Sequence, residues 1–447
     1  MQHSLQTITQ SLLDMARKAG ADHADAVAIQ GTSISIEVRQ AELEHAERSE
    51  GVDIGLRVFK DGKTAIVSGS DVRDDTLRIM ADRAIAMAHE APTDAYAGLA
   101  DPAQLATSWD AAALDLCDPS DEPDPAALER DAREAEQAAL DHAGISQVEA
   151  GAGYSASNIY LAATNGFSGG YKRTTRSVSC MAIAGQGAGM ERDYDGDSRV
   201  YGSELRASMD IGRSAAERAL ARLDARRPST GTYPVVFDER ISSSLIGHLL
   251  SAVNGAAIAR GSSWLIDDLG KQVLPSHLSV VEDPHRPRIS GSRLFDAEGL
   301  ATQRRDIVRD GVLQGWTLDL ANARKLGMAS TANAARGVSS GPSPSNWNVA
   351  LTPGTVTRDE LLRDMGTGLL VTSMIGSTIN PNTGDYSRGA SGFWVENGEI
   401  AYPVNELTIA GNLRDMLRSI VPANDARQHL SGVVPSLLVE GMKIAGN

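Results

Sequence analysis

Two long runs of small and polar residues face each other across Asn165-Gly166. Tyr160, Ala162 and Thr164 lead into this pair, and the chain returns through Tyr171–Ile183. Asn-Gly favours the two-residue type I′ turn, because both central residues take positive φ there. A hairpin over Gln147–Met190 is therefore expected, and it commits the N-terminal half to antiparallel sheet. Its strands are rich in Ser, Thr, Gly and Ala, which bury little apolar area and let another backbone come close. Either the hairpin sits in an ordinary solvated sheet, or its edge accepts an extended peptide as an added strand.

Upstream, Leu5, Ile8, Leu12, Met15 and Ala19 keep helical spacing up to Gly20. Ala26–Val38 alternates as a strand, with one break near Gly31. Gly51–Ser68 reads as a hairpin turning at Asp61-Gly62. Helices are expected over Asp71–Glu90, Pro125–His142 and Ser203–Leu223. Residues 91–125 read as a surface connection. The acidic stretch Glu191–Gly202 lacks the ligand spacing of a calcium loop and reads as solvated loop. At 447 residues the chain exceeds one compact core. Arg226-Arg227-Pro228 marks the expected boundary. The expectation is an α+β fold: an N-terminal α/β layer domain with long antiparallel strands over 1–228, and a C-terminal strand-rich domain with short helices over 229–447.

In the C-terminal half, Ile241–Trp264 reads as one helix N-capped by Asp238, with Ile241, Leu245, Leu249 and Val253 on one stripe. His248 is the one ionisable group in its apolar part, either packed or functional. No Glu or second His lies within two turns, as a helical metal site requires. The stretch Ile379–Gly392 reads as a glycine-bearing loop holding Asn382, Asp385, Tyr386 and Arg388. It lacks the spacing of phosphate-binding loops, and a strand follows it, so a nucleotide site is not expected. No G-x-S-x-G elbow occurs. His277 and His285, beside Glu282 and Asp283, either converge or lie in a solvated loop.

A net charge of −16 repels nucleic acid. Cys117 and Cys180 form no C-x-x-C pair, so thiols rather than a disulfide framework are expected. No apolar run reaches the ~18 residues that span a bilayer. The first twenty residues lack a basic stretch followed by an apolar core, so no signal peptide is expected. These features point to a cytoplasmic protein without membrane or nucleic-acid partners.

GDYSRGASGFWVENGEIAYPVNELTIAGNLRDML (Gly384–Leu417) resembles the signature block of the TldD/PmbA family, in its PmbA (TldE) branch. FDAEGLATQRRDIVRDGVL (Phe295–Leu313), ARKLGM (Ala323–Met328), DMGTGLLVT (Asp364–Thr372) and MKIAGN (Met442–Asn447) extend the resemblance, as does GVDIGLRVFKDGKTA (Gly51–Ala65). It implies a subunit of a heterodimeric cytoplasmic zinc metalloprotease, a hydrolase in which TldD-type chains carry H-E-x-x-x-H and a C-terminal Cys. Here Gly247 and Ala252 stand at the two histidine positions, and His248 at the glutamate. His429-Leu430-Ser431-Gly432 occupies the region of the cysteine. The resemblance thus implies a chain with no metal ligands or catalytic residues of its own, inactive alone, with zinc in a TldD-type partner. Its role is then to bind unfolded or small modified peptides. Asn382, Asp385, Tyr386 and Arg388 are the candidate substrate or interface residues, the alternative for Asp385 and Arg388 being an internal ion pair. A homodimer is expected when the partner is absent. Two other readings stand beside this one: a self-sufficient metallopeptidase using His248, His277 or His285, and a gyrase modulator acting through protein contacts.

Overall fold

The computed structural model describes residues 4–446; Asn447, the last residue of the MKIAGN motif, lies outside them. Helix α1 (Leu5–Lys18) starts where the Ser4 side chain accepts from the Thr7 amide at 3.1 Å. It buries Leu5, Ile8 and Leu12. Then follow strands β1 (His23–Arg39), β2 (Glu42–Lys60) and β3 (Lys63–Gly69), helices α2 (Asp74–Glu90) and α3 (Pro125–Leu140), strands β4 (Ile145–Ala163), β5 (Ser168–Ala184) and β6 (Glu191–Arg199), and helix α4 (Ser208–Ala221). The six strands form one antiparallel sheet in the order β3-β2-β1-β4-β5-β6.

β1 runs unbroken through Gly31, which pairs with Gly51 on one side and Ser157 on the other. Ladders on both edges hold the glycine extended, so the expected break is absent. Ala24, Ala26 and Ala28 of β1 meet α1 and α2, whereas Ile34, Ile36 and Val38 meet α3 and α4. These residues share one face by the period-2 rule. The opposite face, with Val27 and Ile29, packs against Leu294 and Phe295 of the C-terminal half.

One expectation fails in this sheet and one alternative is narrowed. Glu191–Gly202 is not a solvated loop, because Glu191–Arg199 forms β6 with Asp193, Asp195 and Asp197 turned inward and buried. Arginines make this tolerable. Arg240 reaches Asp193 at 2.9 Å, Arg206 and Arg218 reach Asp195 at 2.8 and 3.0 Å, and Arg199 reaches Asp197 at 2.9 Å. Second, the β4–β5 hairpin does turn at Asn165-Gly166, but β4 lies between β1 and β5 and β6 covers β5 from Arg176 onward. The hairpin therefore offers no edge along β4. Among the described residues, Glu42–Asp53 of β2 and Ser168–Arg173 of β5 lack a partner strand on one side, as do the outer sides of the end strands β3 and β6, whereas the Thr174 amide already donates to Leu116 O at 3.0 Å.

The C-terminal half begins with β7 (Gly231–Phe237), followed by helices α5 (Ser243–Ala252) and α6 (Gly255–Ala259). Its main strands are β8 (Gly368–Ile379), β9 (Asp385–Glu396), β10 (Glu399–Asn412) and β11 (Leu437–Ala445). β7 and β8 pair in parallel, and β9, β10 and β11 add antiparallel neighbours. Because β11 also pairs with β10 through Thr408–Ala410, the sheet closes on itself. Closure removes an edge that would invite unwanted pairing. A smaller sheet centres on Val280–Glu282 and Val349–Leu351.

The single helix expected over Ile241–Trp264 is two helices. Asn254 interrupts it and N-caps α6 by accepting from the Ala256 amide at 3.0 Å. The Gly255 amide instead donates to Thr317 O at 2.8 Å, and a Cβ on Gly255 would sit 2.8 Å from that oxygen. Nor is Asp238 the N-cap. Helix α5 starts at Ser243, after Ser242, and Asp238 instead holds the preceding turn, its Oδ1 accepting from the Arg240 amide at 3.2 Å and its carboxylate pairing with Arg240 and Arg358. Among the described residues no helix is long and apolar enough to cross a membrane.

Candidate functional site

The stretch Ile379–Gly392 is a hairpin rather than a loop. β8 ends at Ile379, residues 380–384 turn, and β9 begins at Asp385. Within the turn, the Asn382 amide donates to Asn380 Oδ1 at 3.0 Å. The Gly384 amide donates to Asn380 O at 2.9 Å. Gly384 has φ +79°, and its bare Cα lies against the Trp264 ring.

Alternation along β9 then sorts the candidate residues. Asp385 is exposed and accepts from Thr383 Oγ1 at 2.7 Å and Asn412 Nδ2 at 3.1 Å, which together hold its carboxyl below the usual range. Asn412 also caps the helix Leu413–Arg418. Asp385 thus ties the turn to that helix. Tyr386 turns inward and is 2% exposed, its hydroxyl 3.3 Å from Met374 Sδ. Arg388, two residues on, donates through Nε to Gly376 O at 2.7 Å. Asp385 and Arg388 are not an internal ion pair, since each has its own partners.

The inward pair meets α5. The His248 ring lies edge-on to Tyr386, centroids 5.8 Å apart and planes at 74°. His248 Nε2 is buried without a hydrogen-bond partner. Burial first, then the Arg388 charge, pulls the imidazole below its ordinary pKa, so it is neutral at pH 7. Burial pushes the Tyr386 phenol up to about 12, against the opposing pull of Arg388. His248, Tyr386 and Arg388 therefore form one group, while Asn382 and Asp385 sit on the outer turn. Of the flanking helix positions, Ala252 is buried, and Gly247 has open space where a Cβ would be.

This arrangement offers one neutral imidazole, one phenol and one guanidinium. It suits hydrogen bonding and anion contact. It does not fit a zinc site, which needs three or four N, S or O donors around one point. Among the described residues no three His, Cys, Asp or Glu side chains group to hold a metal ion. His277 is exposed, and His285 Nε2 lies 3.1 Å from Thr302 Oγ1. The neighbouring Glu282 is spent on Arg305, Asn333, Asn346 and the Trp347 amide. Burial drives the Cys180 thiol up to about 12, so it stays protonated. His429 sits 3.5 Å from Asp197, its pKa lowered chiefly by burial.

One buried pair escaped the sequence reading. Asp296 accepts from the amides of Glu298, Leu300 and Ala334, and Glu298 accepts from the Leu320 amide at 2.8 Å. Burial pushes both carboxyls up, Asp296 to about 6 with the Asp319 charge adding, and Glu298 to about 8 with the Asp296 charge adding. Two acids two positions apart in Phe295–Leu313, Asp296 and Glu298, were the available signal.

Known proteins match this architecture along its length. The PmbA/TldA metallopeptidase descriptions match in three parts: domain 1 over residues 24–88, the central domain over 118–223 and the C-terminal domain over 230–446. Metalloprotease PmbA of Escherichia coli O157:H7 is 39% identical over 95% of this chain and 92% of its own length. The PmbA homologue of Haemophilus influenzae is 37% identical over 97% and 94%. Among solved structures, a candidate modulator of DNA gyrase from Bacteroides thetaiotaomicron superposes with a TM-score of 0.92 at 29% identity, covering 98% of each chain. TldE from Thermococcus kodakarensis shares the fold, with a TM-score of 0.85 at 19% identity over 98% and 99% of the two chains. On these matches and the fold that carries them, the chain belongs to the PmbA/TldD metallopeptidase family.

Proposed function

We propose that this chain is the non-catalytic, substrate-binding subunit of a cytoplasmic zinc metalloprotease, paired with a TldD-type subunit that carries the metal. Its substrates are unfolded proteins or small modified peptides. The observation that carries the reading is the α5 wall. Gly247 and Ala252 bring no donor atoms, and the one imidazole, His248, faces Tyr386. Zinc activates water only when several protein ligands hold it and leave a position open. The relatives named as metalloproteases support the reaction class. Arg388 and the outer turn at Asn382 are the groups offered to substrate or partner. An extended peptide has the unpaired edge Glu42–Asp53 of β2 to join.

The test is reconstitution. The chain alone, a TldD-type subunit alone and their mixture are assayed on an unfolded protein substrate. Cleavage restricted to the mixture supports the proposal, and cleavage by this chain alone refutes it. A second reading, interaction with gyrase, is favoured by the description of the Bacteroides relative. With a net charge of −16 it would work through protein contact rather than DNA. Capture of gyrase without a TldD-type chain would support that reading instead.

A further inference from the structure

A cavity of about 160 Å³ lies between the first sheet and the C-terminal half. Its floor is apolar: Val27 and Ile29 of β1, and Ile159 and Leu161 of β4. Its walls carry three arginines, Arg173, Arg293 and Arg336. The Arg336 side chain is 1% exposed and is neutralised by Asp25 through Nη1; its Nη2, buried with no hydrogen-bond partner, presents no surface to the cavity. A buried donor left unmade costs its full desolvation penalty.

Arg173 and Arg293, unlike Arg336, have no anion beside them. Arg173 donates to Ser290 O and, at 3.3 Å, to Ser292 O. Arg293 donates to the same two carbonyls at 3.1 and 2.8 Å. Among the described residues neither makes an ion pair. Burial, then the Arg293 charge, lowers Arg173 to about 10. Trp347 lies under Arg293 at 5.2 Å and Tyr171 under Arg173 at 5.8 Å, which fixes both guanidinium groups. The one acid in the wall, Asp296, gives its oxygens to three backbone amides. It leaves Arg173 and Arg293 unneutralised.

We propose that this cavity binds the C-terminal carboxylate of a peptide, with the side chain of the last residue on the apolar floor. Guanidinium groups take carboxylates through paired, charge-assisted hydrogen bonds. The volume fits about one amino-acid residue and falls below the ~300 Å³ where pockets for drug-sized molecules begin. Phosphate would satisfy the arginines but leave the apolar floor unused. The site stands on these residues alone and does not depend on the paired-subunit reading.

Calorimetric titration of the full chain tests it with three probes: N-acetyl-phenylalanine, its C-terminal amide and inorganic phosphate. The acid is expected to bind, the amide to bind at least about tenfold more weakly, and phosphate more weakly than the acid. Equal binding of acid and amide, no binding of the acid, or tighter binding of phosphate overturns the proposal. In Arg293→Gln the acid is expected to lose about tenfold in affinity at an unchanged thermal midpoint. Unchanged affinity there also overturns it. Should that variant fail to fold, the acid–amide comparison on the unaltered chain decides. None of these readouts uses proteolysis, so their failure leaves the reconstitution test untouched.

Discussion

The imidazole of His248 and the ring of Tyr386 meet edge to face, 5.8 Å between centroids. Helix α5 and strand β9 are thereby joined through a neutral aromatic contact with Arg388 beside it. A cation next to an imidazole disfavours the imidazolium, and burial acts in the same direction. The His248 ring is therefore expected to titrate below its ordinary 6.5 in an NMR pH series. Replacing Arg388 with Met should move that midpoint upward. A depressed imidazole pKa means that the unfolded chain binds the proton first, so this group's contribution to stability is lost as pH falls below about 6.5.

Asp25 joins the two halves of the chain. One carboxylate oxygen takes Arg57 of β2 and the other takes Arg336, 311 residues away in sequence. All three side chains are under 9% exposed. Removing one partner of such a cluster strands a buried charge. Asp25→Asn is expected to cost about 3–5 kcal/mol in urea unfolding. The arginines hold the Asp25 carboxyl below its usual value despite burial, which opposes them. Its contribution is thus present above about pH 4 and lost as pH falls further.

Asp296 and Glu298 behave in the opposite sense. With both folded-state values raised, the folded chain holds a proton that the unfolded chain has released. Stability should therefore fall as pH rises from the ordinary carboxylate range, about 4.5, through about 8. Glu298→Gln is expected to flatten this slope and to be more stable than the parent at pH 8, measured by urea unfolding at several pH values.

What sequence could and could not reveal divides by distance along the chain. The Asn165-Gly166 turn and the stripe of α1 are local, and both were readable. Strand β6 was not, because inward-facing acids are tolerable only with cations brought from elsewhere, such as Arg240 onto Asp193, 47 residues away. The interruption before Gly255 was hidden for a similar reason: the apolar stripe continues through it, and the partner that replaces the helical hydrogen bond is the distant Thr317. Within the site, His248, Tyr386 and Arg388 could each be singled out. Their meeting depends on how β9 packs on α5, which no local pattern encodes.

Small residues mark where backbones touch. A Cβ on Gly212 of α4 would sit 1.9 Å from Ala135 O of α3. One on Gly392 of β9 would sit 1.9 Å from Leu370 O of β8. Neither neighbour is a flexible side chain that can step aside. Gly212→Ala and Gly392→Ala are each expected to lower stability by about 1–3 kcal/mol or more. Gly247→Ala, with open space at the Cβ position, should stay within about 0.5 kcal/mol. Thermal unfolding of the three variants checks the contrast.

A non-catalytic subunit, as proposed, holds no catalytic metal of its own. Zinc per chain, measured by elemental analysis on full-length protein purified without a TldD-type partner, tests it most directly. Less than about a tenth of an equivalent is expected, because a lone imidazole cannot hold zinc against solvent. About one equivalent that survives mild chelation would contradict it and make His248 a ligand.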